Sequence, residues 1–250
     1  MKYLFELVVV YLCLLHTADA KIIEDAARQR QIPVEISAPM HQEACTAKHQ
    51  CPVALVSSGY GMGHTQYTFA TDALNKLGYL TVAIAHELPL DPPLSVTGNL
   101  YQTRSENWRR GAATLAFIRT ALKEQYPNYD FDSLLLFGHS NGGDISAWLA
   151  NEGKPYIKTV ITLDNRRVPL PRSETIGVLS IRGSDFPADA GVLPTTAEQT
   201  QFGSCVVQLP AARHNDMADS GPPQLRDSMA MLITEYLGGA TCSTLRKQAH

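Results

Sequence analysis

The sequence lacks the features that mark several large classes of protein. Its 250 residues contain no basic run, and 21 Lys and Arg stand against 24 Asp and Glu. This balance gives no sign of a nucleic-acid-binding surface. Internal repeats and low-complexity tracts are also missing, which argues against a linker between two domains. The apolar run 7–15 is too short to span a bilayer core of about 30 Å as a helix, so no stable membrane insertion is expected.

That apolar run belongs to an N-terminal segment with the layout of a secretory signal peptide. Lys2 precedes the run, and Ala18-Asp19-Ala20 follows it. A cation, a short apolar core and a small-residue cleavage site predict that residues 1–20 are removed and that the protein is secreted or periplasmic. A buried N-terminal helix is the alternative. Residues 21–250 then have the length of a single α/β domain with its own core.

Four cysteines follow the predicted cleavage point. An even number of cysteines in an exported protein favours disulfide bonds. We pair Cys45 with Cys51 across a short loop, and Cys205 with Cys242, which would tie the C-terminal tail to a late strand. His49 lies between the first two cysteines, but no fourth ligand accompanies them, and we expect no metal site.

Short apolar runs alternate with longer segments of helical periodicity along the rest of the chain. The predicted strands are 33–36, 52–56, 79–85, 134–137, 160–164, 176–182 and 205–209. The predicted helices are 67–77, 106–126, a segment around 145–150, and 224–237. Strands alternating with helices predict an α/β fold, with a mainly parallel central sheet and helices on both faces.

One strand leads into a motif that carries chemistry. The apolar run 134–137 is followed directly by Gly138-His139-Ser140-Asn141-Gly142 and then by the helical segment. Gly-x-Ser-x-Gly between a buried strand and a helix is typical of a nucleophile elbow, which exposes the serine hydroxyl above the sheet. Ser140 is therefore the predicted nucleophile, whereas His139 is expected to be packed inside the elbow.

A serine hydroxyl needs a neighbouring base to become a nucleophile. Only two histidines follow Ser140, and one of them, His250, is the last residue. His214, in a loop after the last predicted strand, is therefore the predicted base. An acid should orient its imidazole, and acids after strand ends are the best placed. Three aspartates satisfy this condition and remain open on position alone: Asp164, Asp185 and Asp189.

Taken together, these features resemble those of the α/β-hydrolase superfamily. The resemblance rests on the elbow 138–142, on Ser58-Gly59-Tyr60-Gly61 after an early strand, and on the order Ser, Asp, His along the chain. It covers about residues 33–238 and is nearest to secreted carboxylic-ester hydrolases of the dienelactone-hydrolase and cutinase-like types. It implies the α/β-hydrolase fold, a Ser-His-Asp triad, an acyl-enzyme and no cofactor.

The resemblance also implies which acid acts. Family members carry the acid after the seventh strand, followed closely by Val and Pro. Asp189, with Val192 and Pro194 after it, fits this pattern with one extra residue. The resemblance therefore implies Asp189 as the acid, with Asp185 and then Asp164 as alternatives.

The backbone donors for the oxyanion follow from the same resemblance. One N–H would come from Asn141, the residue after the nucleophile, and the other from Tyr60. Family members often have His-Gly where this chain has Ser58-Gly59, which changes what braces the loop.

The expected function is therefore hydrolysis of a small-molecule or lipid ester by a monomer. Two alternatives remain: acyl transfer to another acceptor on the same triad, and a catalytically inactive α/β-hydrolase used as a binding module. The irregular stretch 86–103 and the insert 166–174 are expected to shape the substrate pocket. The sequence leaves the acyl and alcohol groups open.

Overall fold

The structure is a computed structural model that describes residues 18–249. Most of the predicted signal peptide, residues 1–20, lies outside the described residues. Its last two residues, Asp19 and Ala20, begin the first strand. Within residues 18–249, no helix combines the length and apolar character that crossing a membrane requires.

In this part of the chain, eight strands form one sheet with the spatial order β1-β2-β4-β3-β5-β6-β7-β8. The strands are β1 (Asp19–Asp25), β2 (Arg30–Ser37), β3 (Cys51–Ser57), β4 (Leu80–Ile84), β5 (Tyr129–His139), β6 (Ile157–Leu163), β7 (Gly177–Arg182) and β8 (Cys205–Gln208). The first two pairings, β1 with β2 and β2 with β4, are antiparallel. All the others are parallel, so the carboxyl ends of β3 to β8 meet at one edge of the sheet.

Helices cover both faces of this sheet. They are α1 (Thr68–Lys76), α2 (Leu100–Lys123), α3 (Asn141–Asn151), α4 (Thr196–Phe202), α5 (Pro223–Leu237) and α6 (Cys242–Gln248). One apolar core joins the sheet to α2 and α3, with Trp108 and Ile145 fully buried in it. The second core joins the opposite face to α1, α5 and α6, around Met229 and Leu245. The predicted α/β fold class is therefore confirmed.

The structure contains both predicted disulfide bonds, Cys45–Cys51 and Cys205–Cys242. The second bond joins the start of α6 to β8. Neither the short helices α4 and α6 nor the hairpin in which β1 pairs with β2 is predicted from the sequence. The predicted helix 106–126 begins earlier in the structure, at Leu100, where the Asn99 side chain accepts a hydrogen bond from the Gln102 backbone N–H and caps the helix.

Candidate active site

Ser140 lies on the sharp turn between β5 and α3. Its backbone has φ 52° and ψ −118°, a conformation that a residue with a side chain seldom adopts. Its backbone N–H donates to the carbonyl oxygen of Leu163 at 2.8 Å, which helps to hold the turn. The flanking glycines are needed, because a Cβ on Gly138 would overlap the Gly142 backbone, and one on Gly142 would overlap the Ser57 carbonyl. The predicted elbow thus has the expected geometry.

The structure brings His214 to Ser140 and brings Asp164 to His214. Nε2 of His214 lies 3.0 Å from Oγ of Ser140, and Nδ1 lies 3.2 Å from Oδ2 of Asp164. Asp164 directly follows β6, the neighbour of β5 in the sheet, and His214 opens a short 3-10 helix after β8. A base between a hydroxyl and a carboxylate can accept the hydroxyl proton on one nitrogen while the other donates to the acid.

The Asp164 carboxylate is fully buried and held from several sides. Oδ1 accepts a hydrogen bond from the Gly183 backbone N–H at 2.8 Å and lies 3.3 Å from the Arg182 guanidinium. A Cβ on Gly183 would lie 2.7 Å from Oδ2, so only glycine leaves the carboxylate this space. Asp164 itself has φ 48°. These contacts leave Oδ2 directed at the imidazole.

Asp189, the acid implied by the resemblance, does not lie beside the His214 ring. Its carboxylate is 47% exposed and pairs with Arg166 at 3.2 Å and with Arg167 at 3.1 Å. Asp185 contacts only the backbone of His214, because its Oδ1 accepts the His214 N–H at 2.7 Å. The expectation of Asp189 beside the base is therefore wrong: the aspartate that contacts the His214 ring is Asp164, the third alternative. The physical reason is local: the Gly183 N–H and the Arg182 guanidinium hold the Asp164 carboxylate beside the ring, whereas Arg166 and Arg167 hold Asp189 away from it.

The two residues expected to supply oxyanion donors both line the pocket at Ser140. Asn141 is the first residue of α3, and the first N–H groups of a helix have no partner within it. The Asn141 side-chain oxygen accepts a hydrogen bond from Trp108 Nε1, and its nitrogen donates one to Asn107 Oδ1, both at 2.9 Å. These two bonds hold the amide side chain in place. Tyr60 follows Gly59, and its hydroxyl accepts the Leu94 N–H at 3.0 Å.

The pocket at Ser140 has a volume of about 200 Å³ and a cationic lining. Leu94, Val96 and Arg104 come from in or near the irregular stretch 86–103, and Arg166 and Arg167 come from the insert 166–174. Burial and the neighbouring Arg167 lower the pKa of Arg104. A negatively charged group near the serine would therefore meet favourable charge.

Asp144 also lines this pocket, but backbone N–H groups already bind one oxygen of its carboxylate. Oδ1 of Asp144 accepts the backbone N–H groups of Arg166, Arg167 and Val168. Burial raises the pKa of Asp144 to about 6, although these hydrogen bonds oppose the change. A larger cavity of about 950 Å³ lies beside Trp148 and Leu170 and does not include Ser140. Residues 18–249 contain no group of three His, Cys, Asp or Glu placed to hold a metal ion.

No family model matches the sequence, and no curated protein matches it either. Solved structures do resemble its fold. A dienelactone hydrolase from Anabaena variabilis is 14% identical with a TM-score of 0.58, covering 90% of this chain and 100% of that one. Thermogutta terrifontis esterase 2 phosphorylated by paraoxon is 13% identical with a TM-score of 0.63, covering 89% and 94%.

A third structure is a dienelactone hydrolase-like promiscuous phosphotriesterase from metagenomic libraries. It is 20% identical with a TM-score of 0.61, and the match covers 88% of this chain and 98% of that one. Identities this low establish a shared fold and nothing finer. The chain therefore has the α/β-hydrolase fold.

Proposed function

We propose that this protein is a serine hydrolase that cleaves a carboxylic ester through Ser140, His214 and Asp164. The proposal is carried by one continuous set of contacts, from the Ser140 hydroxyl through both ring nitrogens of His214 to a buried carboxylate. The fold similarity to an esterase and a dienelactone hydrolase supports it by analogy.

The proposed reaction uses the chain's own groups and water. Ser140 Oγ attacks the ester carbonyl carbon while its proton passes to His214 Nε2. Asp164 accepts the Nδ1–H and stabilises the imidazolium, and the backbone N–H groups of Tyr60 and Asn141 bind the oxyanion. His214 then returns the proton to the leaving alkoxide, which gives an acyl-enzyme and an alcohol. Water, deprotonated by His214, releases the carboxylic acid and restores Ser140.

Acyl transfer is the second candidate, since another alcohol or an amine could replace water in the last step. A catalytically inactive binding module is disfavoured, because such a role would not need the base to lie 3.0 Å from the serine hydroxyl. We place the enzyme outside the cytoplasm as a monomer acting on a small-molecule or lipid ester. The predicted leader and the two disulfide bonds support that location.

Covalent labelling tests the proposed nucleophile. A fluorophosphonate probe should modify Ser140 alone, as located by peptide mass mapping, and His214→Ala should react far more slowly. Ser228→Ala, which removes a half-buried serine hydroxyl on α5 that donates to the Gln224 carbonyl, is the matched control and should label at the wild-type rate. A label on another residue, or wild-type labelling of His214→Ala, would refute the assignment. Competition between water and added alcohols for the acyl group separates hydrolysis from transfer.

A further inference from the structure

A chain of hydrogen bonds connects three separate parts of the site behind the elbow. The backbone N–H of Gly59 donates to the Tyr67 hydroxyl at 3.1 Å, and that hydroxyl lies 2.7 Å from Nδ1 of His139. On the other side of the ring, Nε2 of His139 lies 3.1 Å from the carbonyl oxygen of His214. The chain therefore joins the loop that precedes Tyr60, the strand that carries Ser140 and the loop that carries the base.

The direction of each bond follows from the chemistry of the groups. A backbone carbonyl only accepts, so Nε2 of His139 carries the hydrogen. Burial, followed by the neighbouring His214, lowers the pKa of His139 to about 3, so the ring is neutral and Nδ1 accepts. Burial also raises the pKa of Tyr67, so its hydroxyl keeps the proton that it donates. The sulfur of Met62, 3.2 Å from that hydroxyl, is the weaker acceptor.

This arrangement fixes the backbone of His214 from both sides. Its N–H donates to Asp185, and its carbonyl accepts from His139. Only the side chain is left to respond to Ser140 and Asp164. The ring also stacks on Phe186, with 3.6 Å between the ring centroids. At the other end of this series of hydrogen bonds, the position of Gly59 determines the direction of the backbone N–H of the next residue, Tyr60.

We infer that Tyr67 and His139 are positioning residues, which hold the oxyanion loop and the base loop in register with the nucleophile. The inference rests on the proposed function and deepens it. The Tyr67 hydroxyl braces the loop at Gly59, where this chain has Ser58-Gly59 and not His-Gly. His139 holds the base loop through the carbonyl oxygen of His214, and neither Tyr67 nor His139 lines the pocket at Ser140.

Tyr67→Phe is the direct test, because it removes one hydroxyl and keeps the ring that packs edge-on against Phe137. Misplaced catalytic groups weaken transition-state binding more than substrate binding. With an aryl ester, kcat should fall roughly 10- to 100-fold while KM changes less than about threefold. Tyr236→Phe is the matched control, since the Tyr236 hydroxyl makes no hydrogen bond within residues 18–249. That control should keep the wild-type kcat.

Two variants of His139 test the two hydrogen bonds of its ring separately. A glutamine amide can still reach the His214 carbonyl, whereas an asparagine side chain can reach only the Tyr67 hydroxyl. We expect His139→Gln to lose the Tyr67 contact and His139→Asn to lose the His214 contact. Tyr67→Phe combined with His139→Gln should cost little more than the more damaging of the two single changes, because both remove the same hydrogen bond.

The outcomes distinguish this inference from the proposed function. If Ser140→Ala is inactive while Tyr67→Phe keeps wild-type kcat, the positioning inference is wrong and the hydrolase stands. An increase confined to KM would contradict it too, as would additive effects in the double variant. If Ser140→Ala keeps full activity, the proposed function itself has failed. Should Tyr67→Phe not fold, which its thermal transition would show, His139→Gln and its kcat decide the question.

Discussion

Oδ2 of Asp164 lies 3.2 Å from Nδ1 of His214, and the same carboxylate receives the Gly183 N–H on its other oxygen. With Oδ1 occupied by the Gly183 N–H, Oδ2 faces the imidazole and is placed to accept its N–H. The relationship ties the end of β6 to the loop after β8, across β7. It also separates three aspartates that the sequence leaves open.

Exchanging each of these aspartates for asparagine identifies the acid. Asp164→Asn should lower kcat about 10³- to 10⁴-fold, because the amide favours the wrong imidazole tautomer. Asp189→Asn and Asp185→Asn are the matched controls and should each cost less than about tenfold, since neither carboxylate contacts the ring. Steady-state rates on one aryl ester measure all three. If Asp189→Asn is inactive while Asp164→Asn keeps its activity, the assignment of Asp164 as the acid is wrong.

Two buried histidines make the folded state sensitive to acid. His86 and His139 are buried, and burial lowers the pKa of each to about 3. Below about pH 6.5 these two histidines bind protons in the unfolded chain but stay neutral in the folded chain. The free energy of unfolding therefore falls as the pH falls. Asp144, with its pKa raised to about 6, acts in the opposite sense between about pH 4 and 6. Burial also lowers the pKa of His64, so at least one net proton remains, and each is worth about 1.4 kcal/mol per pH unit.

Urea unfolding at pH 6.0, 5.0 and 4.5 measures this slope. His86→Gln should reduce this slope by about one proton. An unfolding free energy that stays constant or rises as the wild-type protein is acidified from pH 6 would contradict the account.

The arginines of the pocket predict a preference that depends on charge. Arg104 donates to the Ser95 carbonyl and has no carboxylate partner within residues 18–249. The kcat/KM for an aryl hemisuccinate should therefore exceed that for the aryl butyrate of equal acyl length, and added salt should reduce this difference. Arg104→Gln should lower kcat/KM for the hemisuccinate by roughly three- to tenfold and leave the butyrate nearly unchanged.

Arg109→Gln provides the control, because Arg109 lies on the same helix but outside the Ser140 pocket. Equal losses for the two esters in Arg104→Gln would show that the guanidinium acts on the fold and not on the charge of the substrate.

The two disulfide bonds should differ in what they contribute to stability. Cys205 and Cys242 are 37 residues apart, whereas Cys45 and Cys51 are 6 apart. Chain entropy predicts a loss of about 4 kcal/mol for the first bond and about 2 kcal/mol for the second. Replacing each pair by alanines and comparing denaturant midpoints measures both. A larger loss for the Cys45–Cys51 pair would contradict the prediction.

The parts of the site that the sequence predicts well are those encoded locally. The elbow at Ser140 needs only the glycines beside it and a strand and helix on either side, and all of these are adjacent in the chain. His214 follows by elimination. The sheet is predictable because parallel strands are buried on both faces and read as continuous apolar runs.

The acid and the positioning residues depend on contacts between distant parts of the chain. Asp164 and His214 are 50 positions apart, and nothing in the sequence between them indicates that they meet. Side-chain partners that only the fold reveals provide the missing information, since Gly183 fixes the Asp164 carboxylate and Arg167 pairs with Asp189. Tyr67 reads as a core residue by its pattern, and only its 2.7 Å contact with His139 shows another role.

The central claim is that one serine hydroxyl carries the reaction, and hydrolysis by Ser140→Ala tests it most directly. The substrate is a simple aryl ester, and Ser228→Ala is measured in parallel as the folded, active reference. The account predicts that Ser140→Ala lowers kcat about 10⁵- to 10⁶-fold with an unchanged thermal transition, while Ser228→Ala keeps the wild-type rate. Ester hydrolysis by purified Ser140→Ala at a rate within tenfold of the wild type would contradict it.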